Sequence, residues 1–234
     1  MPSISELVNL VQETDVKLMK KWNGIGGKFF TYFLKALAFL GRETLWIFLI
    51  LFYFFIWYDP FLFSYFFASF FSGVLIIAPL KEIIGRRRPF KVLEIQIYER
   101  EPTSKSFPSW HVYNVVIHGL LISTLVNNLI ISILLFIVAV LVAFSRIQFG
   151  VHYFTDCVAG FLLGLLGFLF VKALFGPFMH NAVLFLEQFS VFAIEYQQIN
   201  RMIFEQFWYL MLCIVIFGAL FLSSTFKMIK EYLL

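Results

Sequence analysis

Charge is what this 234-residue sequence has least of. Only 14% of its residues are Asp, Glu, Lys or Arg, against about 25% in an ordinary soluble domain. Hydrophobic residues make up 61%, Phe alone occurs 33 times, and mean hydropathy is +0.88. A soluble globule of this length has too much surface to hide so much apolar material, and disorder requires the opposite composition. Cysteine is also scarce. Cys157 and Cys213 both sit in apolar segments, where they read as core packing rather than a disulfide, and no Cys/His spacing fits a metal site. The 14 acidic residues form no cluster of the kind that holds magnesium. No cleavable leader is expected, because residues 1–22 carry Glu6, Glu13 and Asp15, which a signal sequence avoids. A net charge of +4 is too small to specify a partner, and no nucleic-acid partner is expected. No repeat, low-complexity linker or second domain is visible.

Long apolar runs are what the sequence does have, and they are continuous, so a barrel of alternating strands does not fit. About 20 apolar residues cross about 30 Å of hydrocarbon. Charge-free windows give Thr44–Tyr58, closed by Asp59-Pro60, then Pro60–Leu80, ending at Lys81. Ser106–Ser145 has no charged residue over its whole length and divides at Asn127-Asn128, which reads as a turn. Cys157–Val171 and Gln206–Phe226 complete six expected spans. Residues 4–22 place Leu7, Leu10, Val11, Leu18 and Trp22 among charges at helical spacing, the pattern of a helix lying on the membrane surface. Residues 29–40 are too short to cross and read as half-inserted; residues 178–200, with Glu187 and Glu195, read as another surface helix. The expectation is an all-α polytopic membrane helix bundle forming one domain over 1–234. Its parts are an interfacial or re-entrant segment 1–41, a core 42–175, and a surface segment with the last span over 176–234.

Counting crossings brings 81–105, 109–111 and 146–156 to one membrane face. These stretches hold most of the unusual polar residues, and such groups point inward or to a wet mouth because lipid exposure is costly. The first cluster runs from Lys81 to Arg88-Pro89, with Lys81 and Arg88 seven apart and so able to share a helical face. The second is Pro108-Ser109-Trp110-His111 at the start of a span, where free backbone N–H groups favour an anion. The third is Ser145-Arg146, then His152 and Asp156, the last two spaced i, i+4 to meet on one helix face. Lys81, Arg88 and Arg146 supply cations that match phosphate oxygens. Two histidines complete the set, and Asp156 is placed to hold His152 in one tautomer. A nucleophile oriented by a carboxylate, a second imidazole as acid and a cationic cradle describe phosphoryl transfer. Arg86, Arg87, Lys91, Arg100 and Lys105 read as ordinary membrane-edge cations, and His118 and His180 as structural residues.

The three clusters together resemble the signature of the type 2 phosphatidic acid phosphatase superfamily: Lys81-x6-Arg88-Pro89, Pro108-Ser109-x-His111, and Ser145-Arg146-x5-His152-x3-Asp156. That superfamily includes bacterial lipid phosphatases, glucose-6-phosphatase and vanadium haloperoxidases. The resemblance implies that His152 attacks phosphorus, Asp156 orients it, and His111 protonates the leaving oxygen and then activates water. Lys81, Arg88, Ser109 and Arg146 would bind the phosphate oxygens. Trp110 stands where the family usually has Gly, retaining the backbone N–H while adding bulk that narrows the pocket or stacks on a substrate. The implied protein is a lipid phosphate phosphatase of a bacterial inner (cell) membrane, using no cofactor and requiring no metal. Candidate substrates are phosphatidic acid, phosphatidylglycerol phosphate, a polyprenyl diphosphate and lipid A phosphates, with a small soluble phosphate ester as a further alternative. A phosphotransferase to an alcohol acceptor and a non-catalytic lipid-binding or transport protein on the same fold are the alternatives.

Overall fold

A computed structural model of the chain describes residues 3–190 and 194–232. Its helices are α1 (Ile4–Trp22), α2 (Gly27–Ala38), α3 (Glu43–Leu51, continued by a π turn Phe52–Ile56), α4 (Pro60–Ile84) and α5 (Trp110–Val126). They continue with α6 (Leu129–Gln148), α7 (Phe154–Phe170, continued by a π turn Val171–Phe175), α8 (Gly176–Glu187), the short α9 (Met202–Glu205) and α10 (Phe207–Tyr232). Among the described residues the extended backbone pairing is one isolated bridge, Trp57 to Ile199.

The protein is an all-α, multi-pass membrane protein. Pro60–Lys91, Leu129–Gln148, Phe154–Glu187 and Phe207–Phe226 are each long and apolar enough to cross a bilayer. Gly27–Gly41 and Glu43–Ile56 reach the length and hydropathy of a further span when taken together across a short break; the expected half-inserted segment falls in the former and the expected first span in the latter. Trp110–Val126 is apolar, but its 17 residues fall short of the about 20 that cross hydrocarbon unaided.

Local chemistry explains the element boundaries. Ser3 and Glu6 close a capping box at the start of α1. Asp59 accepts from the Leu62 N–H at 2.9 Å, and Pro60 takes the first helical position, where its missing N–H costs nothing. The Asn127-Asn128 turn forms as expected: Asn127 is left-handed (φ 49°) and the Asn128 side chain caps Ile130 and Ile131. The expected helix over 178–200 stops at Glu187 instead. Its carboxylate accepts from the hydroxyls of Tyr58 and Tyr196. The Gln197 and Asn200 N–H groups go to the Tyr58 and Ile56 carbonyls, each at 2.8 Å, so residues 194–200 are non-helical; residues 191–193 of the expected helix lie outside the described residues.

The chain divides into two compact units, Met1–Gly41 with Gly73–Leu166, and Arg42–Ser72 with Gly167–Leu234. In the first, Met19, Val112, Val115, Val116, Ala139, Val142, Ile147 and Cys157 pack as a core, beside a second cluster of Leu34, Ala38, Phe149 and Val151. Cys157 and Cys213 are free and buried, as the sequence implied. Gly160 and Gly164 let α7 approach α5 closely: a Cβ at Gly160 would lie 2.5 Å from the Ser109 carbonyl, and one at Gly164 2.8 Å from the Val116 side chain. Small residues one turn apart are the usual means of such packing in membranes, and here they set the start of α5 against the start of α7. In the second unit, aromatic rings carry the packing, with Trp46 and Tyr53 both stacked on Phe66.

Candidate active site

The site is built in the first unit, where three chain breaks meet: the end of α4, the start of α5, and the turn from α6 into α7. Lys81 lies on the last turn of α4. Gly85 then adopts φ +61°, a left-handed conformation that disfavours any residue with a Cβ, and the helix ends. Lys81 and Arg88 therefore do not share a helical face, as their spacing had implied. They converge through the following loop instead: Lys81 Nζ donates to the Lys105 carbonyl at 2.8 Å, and Arg88 donates to the Ser104 carbonyl at 2.7 Å and the Ser104 hydroxyl at 3.0 Å.

His152 and Asp156 also meet differently from expectation. His152 precedes α7 rather than lying on it, and Asp156 stands in the first helical turn. Asp156 Oδ2 accepts from the Tyr153 N–H at 2.9 Å, the reciprocal half of a capping box, which satisfies a backbone donor the helix itself leaves open. The same oxygen accepts from the Ser106 hydroxyl and faces His152 Nδ1 at 3.5 Å. On the other side of the ring, Arg88 Nη1 lies 3.2 Å from His152 Nε2 and also donates to the Val151 carbonyl at 2.9 Å. A guanidinium has no acceptor, so Nε2 must present its lone pair and Nδ1 must carry the proton toward Asp156. Burial holds the His152 imidazole neutral, pushing its pKa down to about 3; the Asp156 carboxylate opposes this and the Arg88 and Lys81 cations add to it.

Arg146 is 1% exposed at the end of α6. Its backbone carbonyl accepts from the His152 N–H at 3.2 Å, and one guanidinium nitrogen, Nη2, donates to Glu99. Its Nε and Nη1 find no hydrogen-bond partner among the described residues, and neither does the buried Ser109 hydroxyl. The Ser109 N–H donates to the Asp156 carbonyl at 3.0 Å, so this N–H locks α5 to α7 and is not free for an anion as the sequence reading had it. Trp110 and His111 form the first turn of α5, with the His111 backbone against Gly41 and the Trp110 ring 6.4 Å from that of Tyr113. His118 is buried and bonded to the Asn114 carbonyl at 2.9 Å, the structural role expected of it.

Arg86, read from sequence as a membrane-edge cation, is instead part of the site. It bridges Asp156 Oδ1 and Asp15 Oδ2, each at 2.6 Å. Asp15, Glu99, Ser104, Ser106 and Thr155 were likewise not singled out. Asp15 had one visible signal: it shares an i, i+4, i+7 stripe with Met19 and Trp22, and that stripe, not Leu7, Leu10 and Val11, is the face α1 buries. The loop residues had none, since nothing periodic marks them.

Buried cations with open donors are costly unless an anion completes them. Lys81, Arg88 and Arg146 are 7%, 4% and 1% exposed, and the donors left open on Arg146 match an oxyanion. Among the described residues no group of three or more His, Cys, Asp or Glu side chains is placed to hold a metal.

Comparison with known proteins gives one consistent result. The model of the PAP2 superfamily matches residues 58–179, more than half of the chain. A protein of Bacillus subtilis named phosphatidylglycerophosphatase B is 40% identical over 103 residues, covering 40% of this chain and 48% of its own length. An undecaprenyl-diphosphatase of Sulfolobus acidocaldarius is 35% identical over 97 residues, covering 41% of this chain and 47% of its own. The matched region thus spans about half the length of these curated relatives. Among solved structures, the PAP2-type phosphatidylglycerolphosphate phosphatase of Bacillus subtilis superposes with a TM-score of 0.60 at 27% identity, covering 79% of this chain and 90% of that one. LpxE of Aquifex aeolicus shares the fold with a TM-score of 0.58 at 24% identity, over 67% of this chain and 93% of that one.

Proposed function

The chain belongs to the PAP2 superfamily, and on that premise we propose that it is an integral-membrane phosphatase releasing phosphate from a lipid phosphate monoester or diphosphate in a bacterial inner membrane. The observation that carries this reading is the placement of His152, its Nε2 3.2 Å from Arg88 Nη1 and its Nδ1 3.5 Å from the Asp156 carboxylate, in a unit that also buries Lys81 and Arg146. A neutral ring is nucleophilic, while the surrounding cations bind an anion whose phosphorus it attacks.

In this reading Lys81, Arg88, Arg146 and the Ser109 hydroxyl hold the phosphate oxygens, with Trp110 beside them at the start of α5. Nε2 of His152 forms a bond to phosphorus as the bond from phosphorus to the lipid oxygen breaks. That oxygen keeps the electron pair and takes a proton from protonated His111. Asp156 stabilises the positive charge left on the phosphorylated ring. Water then attacks phosphorus, giving its proton to His111, and the bond to Nε2 returns to the ring as its lone pair. Charge stabilisation comes from fixed side chains already in place, which avoids reorganisation as the reaction proceeds, and no metal is assigned a role.

The test is phosphate release from a panel of lipid phosphates by the purified protein, with chelator and vanadate present in parallel. The expected result is activity that survives chelation and is blocked by vanadate. Activity lost to chelator and restored by a divalent ion would overturn the metal-free assignment. A new phospholipid in place of free phosphate when an alcohol is supplied would move the assignment to phosphoryl transfer.

A further inference from the structure

The first helix enters the catalytic apparatus through one side chain. Asp15 is 1% exposed although residues 5–14 of the same helix are all exposed. Its carboxylate is fully engaged. Oδ1 accepts from the Thr155 N–H at 3.0 Å; Oδ2 accepts from the Thr155 hydroxyl at 2.5 Å and from Arg86 Nη2 at 2.6 Å. Arg86 in turn donates Nη1 to Asp156 Oδ1 at 2.6 Å and to the Thr155 hydroxyl at 2.8 Å, and lies over the Tyr153 ring at 4.1 Å.

The start of α7 explains why this arrangement exists. Tyr153, the residue before the helix, has no side-chain oxygen that reaches back to the first-turn N–H groups, as Ser, Thr, Asp or Asn would. The open N–H of Thr155 is capped by Asp15, 140 residues away in the chain. Asp156, the next residue, has two oxygens with different work. Oδ2 serves Tyr153, Ser106 and His152, and Oδ1 accepts from Arg86 Nη1 at 2.6 Å. The fork of Arg86 spans both acids in a geometry that a lysine cannot reproduce.

Resting on the proposed phosphatase reading, we infer that Asp15 and Arg86 are positioning residues for the reaction. Asp15 of α1 caps the first turn of α7 and fixes Arg86, and Arg86 fixes the rotation of the Asp156 carboxylate that orients His152. The active site is thereby completed by a helix that lies outside the three sequence clusters.

The experiment is steady-state kinetics on Asp15→Asn, Arg86→Gln, Arg86→Lys and the double Asp15→Asn/Arg86→Gln, with Glu13→Gln, an exposed acid on the same helix, as control. Asp15→Asn keeps the volume but weakens the cap and the ion pair. The expected result is a fall in kcat of about 10- to 100-fold with KM within about twofold, the pattern of a displaced reacting group. Arg86→Lys is expected to lose nearly as much as Arg86→Gln. The double variant is expected to be no worse than the weaker single, because the two act as one unit. Glu13→Gln is expected to match wild type. Should Asp15→Asn fail to yield folded protein by thermal unfolding in detergent, the Arg86→Lys and Arg86→Gln pair decides the matter by the same kcat criterion. Unchanged kcat in the folded variants, a change confined to KM, or fully additive losses would overturn the inference. His152→Ala in the same series separates the two levels. If it is inactive while Asp15→Asn and Arg86→Gln are normal, the positioning role fails and the phosphatase reading stands. If it keeps full activity, the assignment of His152 as nucleophile, and with it the proposed mechanism, fails; if the wild-type protein releases no phosphate from any lipid phosphate, the phosphatase reading itself fails.

Discussion

The unit that holds His152 buries Asp15, Lys81, Arg88, Arg146 and Asp156. In the unit formed by Arg42–Ser72 and Gly167–Leu234, the buried charged side chain among the described residues is Asp59, and it caps a helix. What packs inside that second unit is aromatic: the buried rings of Trp46 and Phe66 stack on each other, and the half-buried Tyr53 also stacks on Phe66. Ring packing is built from many weak, forgiving contacts. Buried charge is not forgiving, because each unpaired ion or donor carries a desolvation cost of several kcal/mol. A chain keeps such a cluster where the charges do something that apolar packing cannot, and under the proposed function the first unit carries the chemistry and the second the framework.

Substitution tests that contrast, beginning with the largest effect. His152→Ala is expected to reduce phosphate release to background, and His111→Ala to reduce it by about 10²–10⁴-fold as befits a lost proton donor; release from a lipid phosphate measures both. Arg146→Gln, which removes a buried cation while keeping hydrogen-bonding capacity, is expected to lower kcat by about 10²–10³-fold, read in the same assay.

The pH dependence of stability gives a smaller effect. His152 is held near a pKa of about 3 when folded, against about 6.5 when unfolded. The unfolded chain therefore binds an extra proton in this window, and stability is expected to fall as pH drops from about 6.5 toward about 3. Thermal unfolding in detergent checks this, and His152→Gln is expected to flatten that slope by one proton. Smallest of all, Glu187→Gln in the second unit weakens bonds to Tyr58 and Tyr196. The melting temperature is expected to drop modestly, by about 1 kcal/mol of stability, while kcat stays within about twofold. A large kcat loss here would break the division of labour.

Local chemistry made much of this architecture legible. The Asp59-Pro60 start, the Asn127-Asn128 turn and the buried thiols all depend on neighbours within a few residues, and each appears where the sequence placed it; of the six charge-free windows, four coincide with helices long enough to cross, while Thr44–Tyr58 falls in one arm of a broken pair and Trp110–Val126 is short. The three clusters were legible for a similar reason: few polar residues interrupt so apolar a chain. Their local geometry was less so. Helical spacing put Lys81 with Arg88 and His152 with Asp156, but Gly85 breaks one helix before Arg88 and α7 begins after His152. The pairs meet through a loop and a cap instead.

What the sequence by itself determined is the set of apolar segments, their breaks and the residue types available for phosphate chemistry, because hydrophobic periodicity and turn preference act over short stretches. What only the tertiary structure decided is which of those residues serve the site. Asp15 and Thr155 are 140 residues apart and Arg146 and Glu99 are 47 apart, and Arg86 became a bridge between two carboxylates rather than a cation at the membrane edge. Such pairings are set by how helices pack, with Gly160 and Gly164 drawing α5 onto α7, and no local pattern records a partner that packing alone brings within 3 Å.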